Sequence, residues 1–143
     1  MTTFFDTSAL IALVKDTEKH HKWSYEQFEA GKSRGPIVIS PIVFSEFCVG
    51  MASLQHVQQS LQSLGIESVA ETEAALFRAS RAYLQYKRTN KGPKSSLLPD
   101  FLIGATAETL ERPLVTTNAR DFQSYFEGLQ LIHPSDMATT TPG

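Results

Sequence analysis

Short apolar runs alternate along the chain with longer segments in which apolar residues recur every three or four positions. The runs Thr2–Phe5, Ile37–Ile39, Ile66–Val69, Leu114–Thr116 and Leu129–Ile132 predict strands. Between them the spacing predicts helices over Ser8–Lys15, Glu18–Ala30, Pro41–Met51, Leu54–Leu64, Glu71–Arg88, Pro99–Glu111 and Arg120–Glu127. Ser40 followed by Pro41 marks one helix start, and Gly65 closes the helix before the third strand. Strands alternating with helices imply βαβ units, so the fold class predicted is α/β. A three-layer α/β/α sandwich follows, with a central, mainly parallel sheet of about five strands. Neither an internal repeat nor a long linker divides the chain. Residues 1–135 are expected to form one domain and 136–143, small and polar, a flexible tail.

With 143 residues the chain can bury a sizeable core. Its 13 basic and 15 acidic residues leave a net charge of −2, so no global basic field advertises a nucleic-acid partner. The distribution changes that picture. From Ala74 to Pro99 there is no Asp or Glu, yet Arg78, Arg81, Lys87, Arg88, Lys91 and Lys94 fall there, a candidate phosphate-contacting patch. The same segment also reads as a solvated helix face running into the loop "KRTNKGPKSS". The single cysteine, Cys48, excludes a disulfide framework and a thiolate metal cluster. No basic n-region precedes the first apolar run, and Asp6 interrupts that run well short of a membrane span, so a cytoplasmic location is expected.

Four acids stand in awkward surroundings. Asp6 ends the first predicted strand, between Phe5 and a long apolar run, and is also a favoured helix N-cap. Glu46 has Ile42, Val43, Val49 and Gly50 as its neighbours three and four residues away, which turns it toward the core side of its helix. Asp100 follows Pro99 at the start of a helix that is apolar all round, where the positive end of the helix dipole favours an acid. Asp121 stands three residues after Asn118, the spacing of a capping box, just beyond the fourth strand. In a parallel sheet ligands bind outside the carboxyl ends of the strands. Several carboxylates converging there cannot all stay ionised unless a cation joins them. Their hard oxygens suit Mg²⁺ or Mn²⁺.

The segments "FFDTSALIAL", "SPIVFSEF", "LLPDFLIGATA" and "LVTTNARDF", in this order, make the chain similar to PIN-domain proteins, in particular VapC-type toxin ribonucleases. The resemblance spans about Thr3 to Pro134. It implies that Asp6, Glu46, Asp100 and Asp121 are the metal-binding and catalytic acids, with Thr7, Ser8, Thr116 and Asn118 as supporting polar residues. It also implies Mg²⁺ or Mn²⁺ dependence, RNA as substrate, a homodimer, and neutralisation by a small VapB-like antitoxin.

Two alternatives compete. A phosphoacceptor domain also carries an early Asp at a sheet edge, but it wants a second carboxylate two residues later, where this chain has Ser8. A PIN-like metal- or nucleic-acid-binding module without nuclease activity would keep the fold alone. His20, His21, His56 and His133 read as surface or boundary residues, and Phe44, Phe47, Phe101 and Phe122 as core. Trp23 and Tyr25 are candidates to face a partner.

Overall fold

The triplet Thr3–Phe5 forms β1, fully buried, and Ile37–Ile39 forms β2 beside it. The remaining strands are Ile66–Ser68 (β3), Leu114–Val115 (β4) and Leu131–Ile132 (β5). Together they make one sheet in the order β3-β2-β1-β4-β5, with every pairing parallel. Seven helices lie among the described residues: Thr7–Val14 (α1), His21–Arg34 (α2), Pro41–Cys48 (α3), Leu54–Leu64 (α4), Glu73–Thr89 (α5), Leu98–Thr109 (α6) and Arg120–Gln123 (α7). The computed structural model describes residues 1–89 and 98–134. Lys91, Lys94, most of the expected basic loop and the expected C-terminal tail fall outside them.

The strand order fixes where a ligand can enter. From β1 the chain winds outward through β2 to β3, then crosses back to β4 and winds the other way to β5. Right-handed crossovers therefore place helices on both faces of the sheet. The reversal lies between β1 and β4, where Phe4 pairs with Leu114 and Phe5 with Val115. Crevices open at such switch points, at the carboxyl ends of the strands. Asp6 leaves β1 there and Thr116 leaves β4.

Each predicted element is present, with shifted ends. Residues Lys15 to His21 form two successive turns (Glu18 N to Lys15 O, 3.1 Å; His21 N to Glu18 O, 3.1 Å), so α2 opens later than Glu18. It also runs on past Gly31. A Cβ at Gly31 would stand 2.5 Å from Ile37 Cδ1, so this glycine is a point of close helix–strand approach rather than a stop. The last helix is four residues, half the predicted length. Beyond it, Glu108 takes the Gly128 N–H at 3.1 Å and draws the chain into a turn. Gly65 adopts φ +67°, the left-handed closure expected for it.

Apolar burial holds the layers together. Phe5 meets Phe28 of α2 edge-on, and Phe101 of α6 sits among Tyr83, Tyr86, Tyr125 and Phe126. Such pairs contribute about 0.5–1.5 kcal/mol each beyond area burial. Trp23, expected to face a partner, is instead buried in the core, because α2 turns this position inward; Tyr25 on the same helix is exposed. None of the described helices is long and apolar enough to cross a membrane.

Candidate functional site

Asp6 is 5% exposed. The end of β1 and the start of α1 hold it in place. As the N-cap of α1 it takes the Thr7 N–H on Oδ1 at 2.8 Å, while Oδ2 accepts from the Ser8 hydroxyl at 3.0 Å and the Thr116 hydroxyl at 2.8 Å. The cap and cleft readings are thus both met by one side chain. A carboxylate offers about four lone-pair sites, so these bonds leave one unused. Burial pushes the Asp6 carboxyl up, the bonds from Thr116, Ser8 and Thr7 pull it back, and the Glu46 charge pushes it further up.

The hydroxyls around Asp6 tie β1 and β4 into one rim. Thr116 Oγ1 also accepts the Asn118 N–H at 2.9 Å, and Ser8 Oγ accepts the Thr117 N–H at 3.1 Å. Glu46, half-buried on α3 although its neighbours Val49 and Gly50 are exposed, accepts from the Thr7 hydroxyl at 2.5 Å on Oε1. Asp121 accepts from the Asn118 side-chain amide at 2.5 Å. The expected capping box is therefore not formed. The Asn118 side chain meets the acid rather than the helix backbone, and α7 has Ala119 as its N-cap, which gives no side-chain cap.

Asp100 makes no hydrogen bond with the described residues, and its surroundings are the most telling. Burial, then the charges of Asp121, Asp6 and Glu46, push its carboxyl up from 3.8 to about 7. Each of the three charges acting on it belongs to another of the four acids. Elements far apart in the chain have thus brought three other carboxylates within electrostatic reach of Asp100, and no cation offsets them among the described residues.

Their chemistry suits a hard divalent ion, because the donors are oxygens only and their repulsion is unrelieved. Among the described residues, no three His, Cys, Asp or Glu side chains are already gathered closely enough to hold an ion as they stand. Mg²⁺ does not demand that, since it keeps several waters and commonly takes only one or two direct carboxylates.

The basic segment is placed differently. Arg78 donates to Glu108 at 2.5 Å and to Tyr125 O at 2.7 Å, and covers the Phe126 ring at 4.9 Å; it fastens α5 to α6 and the loop after α7. Arg81 lies over Phe77 and Lys87 over Tyr83, both on the outer side of α5, and Arg88 is exposed at its end. One feature went unread in the sequence. A cavity of about 430 Å³ opens beside the acid rim, lined in part by Lys19, His20, Thr117, Asn118, Arg120 and His133.

A doubly wound parallel sheet with acids gathered at its switch point has a match among known families. The PIN-domain model covers residues 3–126, and the chain belongs to that family. Among curated relatives, Ribonuclease VapC1 of Rickettsia felis is 29% identical over 137 residues, 92% of this chain and 96% of the relative. Ribonuclease VapC of Rickettsia bellii is 31% identical over 129 residues, 86% and 90% of the two chains. A chain in the crystal structure of VapBC2 from Rickettsia felis bound to a DNA fragment from their promoter superposes with TM-score 0.71. Its identity is 19%, and the match covers 93% of this chain and 98% of that one, which is a likeness of fold.

Proposed function

We propose that this chain is a Mg²⁺- or Mn²⁺-dependent endoribonuclease acting in the cytoplasm, the toxin of a type II toxin–antitoxin pair. Asp6, Glu46, Asp100 and Asp121 are its catalytic acids. The supporting observation is Asp100, whose charged neighbours are all acids and whose carboxyl is pushed up to about 7. The names of the relatives, Ribonuclease VapC, support the same reading.

Asp6, Asp100 and Asp121 would hold the ion directly or through water, with Glu46 beside them. When bound, such an ion supplies Lewis-acid stabilisation of the phosphoryl oxygens and eases ionisation of water at neutral pH. The chain does the positioning. Thr116 and Ser8 fix the tilt of Asp6 and favour its ionised form, and Thr7 turns Glu46 toward the same rim. Asn118 does the same for Asp121. Without a cation about half of Asp100 is protonated near neutral pH, and a bound cation would favour its ionised form. Arg81, Lys87 and Arg88, with Lys91 and Lys94, contact the RNA backbone. Arg78 acts instead through the packing of α5. A small antitoxin, as in the VapBC2 complex, and a second copy of the chain are the proposed protein partners.

The test is cleavage of a fluorophore–quencher RNA oligonucleotide by the purified chain with Mg²⁺ or Mn²⁺. EDTA should stop the reaction, and Asp6→Asn and Asp100→Asn should each lower it at least a hundredfold. Wild-type rates in both variants, from preparations free of contaminating nuclease, would defeat the assignment. A Mn²⁺-induced rise in melting temperature without cleavage would point to the binding module instead.

A further inference from the structure

We infer that the cavity between the α1–α2 turns and the β4–α7 loop is a nucleotide subsite, which holds the RNA phosphate next to the one that is cut. This inference rests on the nuclease reading and adds to it the place where the strand lies.

The cavity is about 430 Å³, within the usual range for a small-molecule-sized ligand site. Its walls are chemically one-sided. Lys19 and Arg120 are exposed cations from opposite sides, and among the described residues no ion pair or hydrogen bond engages either side chain. Asn118 adds an amide, and His20 a half-buried ring set edge-on to Trp23 at 6.5 Å. Such a ring can carry a base while the cations meet its phosphate. Among the described residues no acid lines this cavity.

Its position links it to the acid rim. A second cavity of about 130 Å³ shares Lys19, His20 and Thr117 with the first and reaches Ser8, with Glu18 as its one acid. Ser8 bonds Asp6, Thr117 donates its N–H to Ser8, and Asn118 bonds Asp121. A continuous path therefore runs from the carboxylates to the cations, and both lie at the switch point of the sheet. Four carboxylates repel a polyanion. Cations next to them supply the attraction that a phosphate chain needs to enter. Bidentate Arg and point-charge Lys contacts suit phosphate without reading sequence. The sequence concealed this pair because Lys19 and Arg120 are a hundred residues apart in the chain and neither belongs to the basic segment.

The experiment measures the Kd of a fluorescein-labelled single-stranded RNA by anisotropy in EDTA, where no cleavage occurs. The full chain is compared with Lys19→Gln, Arg120→Gln and Arg112→Gln. Arg112 removes the same charge from the amino end of β4, away from the rim. Lys19→Gln and Arg120→Gln should each weaken binding about tenfold and lower the slope of log Kd against log salt by about 0.7, the value for one single-strand phosphate contact. Arg112→Gln should leave both unchanged, and melting curves should be alike, since all three side chains are exposed. With Mn²⁺ present, Lys19→Gln and Arg120→Gln should raise KM and spare kcat. Equal Kd values for the three variants, with wild-type cleavage intact, would overturn the subsite and leave the nuclease reading standing. Absence of wild-type cleavage would refute the nuclease reading, whatever the Kd values. Weakened binding of an acidic peptide with unchanged RNA affinity would reassign the cavity to a protein partner and overturn the proposal.

Discussion

Replacing Asp100 by asparagine removes one charge from the acid rim while keeping its shape. In the folded chain the Asp100 carboxyl rises from 3.8 to about 7 through burial and the charges of Asp121, Asp6 and Glu46. The fold therefore binds this proton more tightly than the unfolded chain does. The resulting penalty on stability is absent below about pH 3.8, grows as pH climbs toward 7, and is complete above it. At about 1.4 kcal/mol per unit of pKa the ceiling is about 4 kcal/mol, of which roughly 1–2 survive because the half-buried carboxylate keeps contact with water. In EDTA at pH 8, Asp100→Asn should thus melt about 3–8 °C above wild type, and the advantage should shrink by more than half at pH 5. Mn²⁺ should stabilise wild type at pH 8 and do little for the variant. Differential scanning fluorimetry at both pH values, with EDTA or Mn²⁺, reads all four quantities. A variant less stable than wild type at pH 8 in EDTA, or an advantage equal at both pH values, would refute the reasoning.

Three further outcomes are expected. Thr116→Val deletes the hydroxyl that holds Asp6 and receives the Asn118 N–H, so Mn²⁺ affinity and cleavage should fall about 10–100-fold, with a stability loss of about 1–3 kcal/mol; titrated melting shifts and RNA cleavage check both. Arg78→Gln removes the guanidinium shared by Glu108 and the Tyr125 carbonyl, costing about 1–3 kcal/mol in urea unfolding while RNA affinity by anisotropy stays at wild type. Gly104→Ala puts a Cβ 2.6 Å from the Phe126 ring, and the resulting overpacking should lower stability by about 1–3 kcal/mol in the same assay.

Much of the fold could be read before the structure, because period and punctuation agreed. Ser40 and Pro41 start α3, Gly65 ends α4, and the five apolar runs pair into one parallel sheet. What misled was context that only packing supplies. The helix expected to end at Ala30 runs on to Arg34, with Ile37 close against Gly31, and α7 ends at Gln123, with Gly128 beyond it bonded to a side chain on another helix. The acids were conspicuous because each broke an apolar pattern, Glu46 above all. The hydroxyl network was legible only through family resemblance, since nothing local says that Thr116 reaches Asp6 across 110 positions. Arg78 misleads for the opposite reason. A basic cluster in sequence does not reveal that one member is spent on Glu108.

The most direct test of an ion shared by these acids is an anomalous-scattering map from crystals grown with Mn²⁺. A peak in the crevice between the ends of β1 and β4, coordinated by Asp6, Asp100 or Asp121 and lost in Asp100→Asn, is the predicted result. Manganese bound only elsewhere on the molecule, with that crevice holding water alone at saturating Mn²⁺, would contradict it.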